Sequence, residues 1–369
     1  MFIKHWNTTN EVKLLISEKK FRFTLASFDA MKGMGMLVIM LIHTFAHLNW
    51  QGSAVLRFLK TMTIYLGVGG IVIFFMISGW GFKPKPAGKV LKQTFSNLIV
   101  PYLLVMLAYG ILVPFTYYPV YSSLKDSAAF AARYVVAFLC GFGPDNTTIF
   151  GYETMWCTAA WFFLTLFIAL NVLNLILKLK NNAVQIGCTL LCVITGIIMY
   201  QKDFFFFCLP QGLTAVGFCY GGYVFKKYDI IRRIYRKAWV YLVLIPVYLA
   251  EAKWGYFDMC QGIFQNIVLD YIGAGIGGLL HILLIAHLQN VDWKILDWLS
   301  GIGIHSYWIL AIHSVEMEVI PWYYIWKFAL PEHPVLALIC EGILKAMILT
   351  AGCYLLKRIA RHRYLRKMK

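Results

Sequence analysis

Charge is what this sequence has least of. Only 14% of its 369 residues are Asp, Glu, Lys or Arg, while 60% are hydrophobic. A soluble domain carries about a quarter charged residues. The mean hydropathy of +0.67 argues the same way. Acidic side chains are the scarcest, 17 against 34 basic ones, for a net charge of +17. No long polar block is left in which a separate soluble domain could fold. The nine cysteines have neither the spacing of a disulfide framework nor that of a metal site. Most fall inside apolar runs, where cysteine acts as a small hydrophobe, so no metal is expected. Residues 1–27 are polar and basic and lack the apolar core of a cleavable signal peptide, so the first apolar helix is expected to anchor itself. No long-period repeat and no low-complexity linker interrupt the chain.

What is abundant is the apolar run long enough to cross a bilayer, which takes ~17–25 residues. Ten such runs are read, at roughly 28–48, 63–82, 95–117, 156–177, 183–201, 204–225, 238–254, 263–288, 298–319 and 335–356. The mixed stretch 118–155 contains "SAAFAARYVVAFLCGFG", expected to form a short helix on or dipping into the outer interface. With the N-terminus inside, the cytoplasmic connections hold 25 Lys and Arg and the outer ones 7. Lys and Arg concentrate on cytoplasmic loops. The expected fold is therefore all-α: a polytopic integral membrane protein of about ten transmembrane helices with both termini cytoplasmic. It divides into a cytoplasmic segment 1–27, a membrane domain 28–356 and a basic cytoplasmic tail 357–369.

The positive charge is then mostly topology. Basic stretches such as "KKYDIIRRIYRK" (226–237) flank spans and face an anionic leaflet of the lipid bilayer. No nucleic-acid partner is expected. The glycine clusters "GFCYGGYVF" (217–225) and "GAGIGGLLH" (273–281) read first as close helix packing, and second as a backbone cradle for a ligand.

The first apolar run, "SFDAMKGMGMLVIMLIHTFAH" (27–47), carries four ionisable groups. Lys32 and His43 are eleven residues apart, a rotation of only about 20° on a helix and a rise of about 16 Å. Asp29 precedes Lys32 by one turn, and His47 follows His43 by one turn. All four lie on one stripe. An ionisable group in a span costs ~2.5 kcal/mol or more and normally faces a bundle interior, a cavity or a partner. The stripe therefore predicts a polar groove inside the bundle, with Lys32 near the cytoplasmic mouth and His43 in the outer half. The alternative is an interfacial Asp29–Lys32 pair with a hydrogen-bonded core histidine.

"FDAMKGMGMLVIMLIH" resembles the first helix of the acyltransferase-3 family of integral membrane acyltransferases, a basic residue followed after ten residues by histidine. The family usually has arginine where this chain has Lys32. Further resemblances follow in order along the chain. "IFFMISGWGF" (73–82) is similar to the family's second helix. "KVLKQTFSNLIVPYLL" (89–104) is similar to its basic Pro-Tyr third, with Lys89 and Lys92 nearest to an Arg-x-x-Arg pair. "AAWFFLTLF" (159–167) and "GIGIHSYWILAIHSV" (301–315) are similar to its fourth and penultimate helices. The family's fused extracellular esterase-like domain is not expected here.

The resemblance implies transfer of an acyl group, most often acetyl, from acetyl-CoA or another acyl-CoA to a hydroxyl of a glycan or lipid-linked sugar. It also implies a cell-membrane location, that of a bacterium. Coenzyme A carries several phosphate charges, which Lys32, Lys89 and Lys92 could meet. Lys89 and Lys92 read equally well as positive-inside charge. Ser78 and Gly79 are expected at the same depth, where small residues allow close backbone approach. His43 is the candidate base, since imidazole titrates near neutrality, or a transient covalent acyl carrier. Glu153 could orient that imidazole or be a solvated loop acid. His313 shares a helix face with Ser306 and is expected in the outer half. Tyr307, His281, His287 and His305 read as polar packing. Two other classes fit ten spans, an exporter or flippase for an anionic or glycan substrate and a receptor or scaffold. The receptor class would not need the aligned stripe.

Overall fold

A computed structural model describes residues 25–46, 48, 53–67, 69–288 and 294–367. The described chain is almost wholly helical. In order it forms α1 (Leu25–Ala46), α2 (Ala54–Gly67), α3 (Val72–Gly81), α4 (Ala87–Thr94), α5 (Val100–Thr116), α6 (Leu124–Cys140), α7 (Trp161–Ile176), α8 (Asn182–Gln201), α9 (Leu209–Lys227), α10 (Ala238–Trp254), α11 (Ile267–Leu288), α12 (Lys294–Ile304), α13 (Ser306–Val319), α14 (Trp322–Ala329) and α15 (Pro334–Lys367). Two short antiparallel hairpins interrupt the helices. One pairs Thr148–Ile149 with Tyr152–Glu153, the other Phe257–Asp258 with Ile263–Phe264.

Each of the ten expected apolar segments contains helix, though 63–82 is divided between α2 and α3, and 204–225 and 263–288 begin ahead of their helices. Among the described residues, six helices are long and apolar enough to cross a membrane. The pair α12 and α13, bent by 68° at His305, makes a seventh if it is one span. Three expected spans fall short for local reasons. The run 63–82 breaks at a turn through Gly69 and Gly70, leaving α3 with ten residues. α10 has 17 residues and a proline, Pro246, within it. α9 is long enough, but Gln211, Thr214 and its glycines and tyrosines lower its hydropathy. It packs among α3, α7 and α8 and buries both Gln211 and Thr214 completely. A helix enclosed by other helices need not be apolar all round. The stretch around 118–155 contains α6, amphipathic and packed on α5.

Glycine sets the distance between helices. A Cβ on Gly222 of α9 would overlap the Met76 carbonyl of α3, and one on Gly79 would overlap the Cys219 carbonyl of α9. Gly33 of α1 and Gly303 of α12 meet the backbone of the facing helix at the Leu299 and Asp29 carbonyls in the same way. Of the glycine clusters, Gly222 and Gly277 are therefore spent on packing, Gly277 against Gly69. Backbones in van der Waals contact are how helices associate where lipid is as apolar as the side chains.

These contacts separate two adjacent positions. Gly221 has open space around its Cα, whereas Gly222 faces backbone. Alanine is the better helix former by ~1 kcal/mol, so Gly221→Ala is expected to leave the thermal midpoint in detergent unchanged or slightly raised. Gly222→Ala should lower it through an overpacking cost of about 1–3 kcal/mol. Equal midpoints for the two variants would contradict the α3–α9 contact.

Candidate active site

The stripe on α1 is found inside the bundle, where α1 packs against α12, α2 and α13. Lys32 and Asp29, one turn apart, form a partly buried ion pair at 2.5 Å. Lys32 also lines a cavity of 150 Å³ together with Ser78, Ser306 and Tyr307 and a wall of apolar side chains. His43 lines a second cavity, of 330 Å³, with Trp156, Asp258 and Gln261. Ile39, Ile71, Phe162 and Leu310 belong to both cavities. The two chambers thus lie end to end along α1, divided by four apolar side chains.

The structure brings His313 to His43. Their ring centroids are 5.4 Å apart, and the Trp156 ring is 6.4 Å from that of His43. Behind His313 lies a buried charged network. The Nδ1 of His313 is 2.7 Å from Glu316 Oε1, both side chains being almost wholly buried. Glu316 Oε2 accepts from Trp322 Nε1 at 2.9 Å. Lys345 Nζ lies 3.9 Å from Glu316 and 2.8 Å from Glu341, and Trp326 Nε1 donates to Glu341 at 2.6 Å. Lys345 also donates to Thr44 Oγ1 at 3.1 Å. Thr44 follows His43 in the chain, so the network holds the C-terminal end of α1. A hydrogen bond at one imidazole nitrogen fixes the ring orientation and decides what the other nitrogen presents.

Other expected participants are placed elsewhere. Lys89 and Lys92 are exposed on α4 and do not line the Lys32 cavity. Glu153 is exposed on its hairpin, ion-paired with Arg133 at 2.8 Å, and does not line the His43 chamber. Gly79 is occupied by the backbone of α9, so only Ser78 of that pair faces a cavity. Tyr307 donates to the Asn97 carbonyl at 2.6 Å, within the π-helical turn Phe95–Ile99 that joins α4 to α5. His281 bonds the Gly277 carbonyl of its own helix, and His287 bonds Tyr241. His47 lies outside the described residues.

Four groups of the site were not singled out as candidates from the sequence. Glu316 sits three residues after His313, a helical neighbour spacing that was visible in "IHSVE". Lys345 is a lysine inside an apolar run, which is itself a signal. Trp156 and Asp258 carry no such mark, because loops bring them over His43. Burial pushes the Asp258 carboxyl above the usual carboxylate range, and backbone N–H donors, Gln261 at 2.9 Å among them, pull it partly back.

The acyltransferase-3 family model, described as an acyltransferase domain, matches residues 25–358, nearly the whole described chain. No curated protein and no solved structure gives a match.

Removing one member of a buried charged set leaves its partners uncompensated, at a cost of about 3–5 kcal/mol. Lys345→Met should therefore strongly destabilise the protein, and pairing it with Glu341→Gln should restore part of the loss. Thermal unfolding in detergent measures both. A double variant no more stable than the single one would show that Lys345 and Glu341 are not coupled.

Proposed function

Because the chain belongs to the acyltransferase-3 family and is a multi-pass membrane protein, we propose that it moves an acyl group, most readily acetyl, from acyl-CoA on the cytoplasmic side to a hydroxyl of a cell-surface glycan or lipid-linked sugar. The membrane is that of a bacterial cell, and the chain crosses it ten times with both termini inside. The topology rests on the 25 basic residues of the inner connections against 7 outside.

One observation carries the mechanism: two chambers in line along α1, with Lys32 and Ser78 lining one and His43, backed by the buried His313 ring, lining the other. On this topology the Lys32 chamber opens toward the cytoplasm. Its ammonium, already balanced by Asp29, offers a point charge to a donor phosphate. Lys89 and Lys92, exposed on α4, extend that charge outside the cavity rather than within it. The acyl thioester reaches toward His43 past the apolar wall. His43 takes the proton of the acceptor hydroxyl as its oxygen bonds to the thioester carbonyl carbon. The carbon–sulfur bond then breaks, and the thiolate leaves with a proton returned from the imidazole. Transient acylation of His43 followed by transfer gives the same balance. Trp156 and Asp258 cover the chamber on the acceptor side.

His43→Ala should cost ~10²–10⁴ in transfer rate, the usual worth of a general base, with acyl-CoA affinity nearly unchanged. Lys32→Ala should show the opposite split, weakening donor binding by about 1.5–3 kcal/mol for a lost charge-assisted contact, and Lys32→Arg should largely keep it. Radiolabelled acyl transfer and donor binding on purified protein give both quantities. Near-normal transfer by His43→Ala would leave that histidine a packing group.

The topology has its own test. Ser123→Cys and Gly255→Cys should react with an impermeant maleimide added to intact cells. Lys85→Cys and Ile230→Cys should react only after permeabilisation, and their labelling in intact cells would refute the orientation.

A further inference from the structure

A third cavity, of 220 Å³, lies beside the His43 chamber and shares no lining residue with it. Its floor is aromatic and buried: Tyr117, Tyr134 and Trp322 are at most 5% exposed. Tyr121 and Tyr323 form an open rim, 38% and 52% exposed. The rings are splayed around the space. Tyr117 stands 6.3 Å from Tyr121, near parallel to it, and 6.4 Å from Tyr324, edge on. Glu318 supplies a carboxylate and accepts from the Tyr134 hydroxyl at 3.2 Å.

We infer that this cavity binds one hexose ring of the acceptor glycan, an inference that rests on the acyl-transfer reading of the His43 chamber. A hexose has two C–H faces and a rim of hydroxyls. Tyrosine and tryptophan offer the matching surface, an apolar body with a polar tip. Five tyrosines and Glu318 line the space; a phenol hydroxyl can donate to and accept from a hydroxyl rim, and a carboxylate can accept from it. At ~30 Å³ per water, the volume equals about seven waters, comparable with one hexose and too small for two. A quaternary ammonium would use the ring faces and the carboxylate. It would leave the phenol hydroxyls against methyl groups, and buried polar groups without partners are costly.

The position fits a subsite for the ring next to the one acylated. Met155 lines this cavity while its chain neighbour Trp156 lines the His43 chamber. Trp322 lines it too, and donates to the Glu316 that holds His313. The two spaces are thus lined by consecutive residues of one loop, and Trp322 links the tyrosine cavity to the side chain that holds His313. A hexose seated among the tyrosines sets the register of the glycan, and so decides which hydroxyl reaches His43.

The test is saturation-transfer NMR on the full chain in a detergent without a sugar headgroup, with methyl glycosides of glucose, galactose and N-acetylglucosamine as probes. At least one hexoside should receive saturation, mainly at its ring C–H protons. Tyr324→Ala and Glu318→Gln should each weaken that hexoside by roughly tenfold, the equivalent of about 1.4 kcal/mol, whereas Gly221→Ala, at a residue that lines none of the three cavities, should bind it as the parent does. Glu318→Gln preserves size and tests the carboxylate without opening a cavity. Saturation of none of the hexosides, equal affinity in both cavity variants, or displacement of the hexoside by tetramethylammonium would overturn the inference. Acyl-CoA turnover by the parent protein is measured alongside. Its absence with hexoside binding intact strikes the acyl-transfer reading and leaves the sugar site standing.

Discussion

The position of His43 depends on a buried set of charges that His43 does not belong to. Glu316 holds His313 through one oxygen and the Trp322 indole through the other, while Lys345 lies between Glu316, Glu341 and Thr44. Each of these groups loses water on folding, which costs several kcal/mol per ion unless partners replace it. The partners come from α1, α13, α14 and α15. Satisfying the set therefore fixes four helices against one another, and α1 is fixed at the residue after His43.

Along α1 the same economy separates two tasks. The polar stripe is not a continuous wet seam. Ile39, with Ile71, Phe162 and Leu310, closes the space between the Lys32 and His43 chambers. An apolar partition of this kind lets a slender chain through more readily than hydrated ions, which matters in a membrane that must stay sealed. Close helix contacts at Gly33, Gly79, Gly222 and Gly303 make the partition possible, since helices held apart by side chains would leave a wider gap. The His43 chamber is roofed by loops, with Trp156 and Asp258 among its lining. Beyond it lies a separate ring of tyrosines with its own carboxylate.

Several features could be read directly from residue order because they are properties of a single helix. Eleven residues between Lys32 and His43 dictate a common face whatever surrounds it, and the two do line successive cavities. Each of the ten apolar segments contains helix, since backbone groups in an apolar setting must be bonded internally. The glycine clusters foretold close packing at Gly222 and Gly277, though not at Gly221, which faces open space. Features that depend on two segments were less legible. Glu153 has the right depth for His43 but pairs with Arg133. Lys89 and Lys92 have the right depth for Lys32 but point outward from α4.

Composition and periodicity alone determined that this is a helical membrane protein with one polar helix face, because burial of ionisable groups and hydrogen bonding of the backbone act locally and leave their period in the chain. The order of motifs along the chain pointed to its family. Only the tertiary structure decided that His313 is the neighbour of His43, that Glu316 and Lys345 stand behind it, and that Tyr117, Tyr121 and Tyr324 enclose a cavity with Glu318. Apart from the neighbouring pairs His313–Glu316 and Tyr117–Tyr121, those residues are far apart in sequence, and what joins them is the cost of burying charge and aromatic surface. That cost is met by whichever distant segment the packing of helices brings within reach.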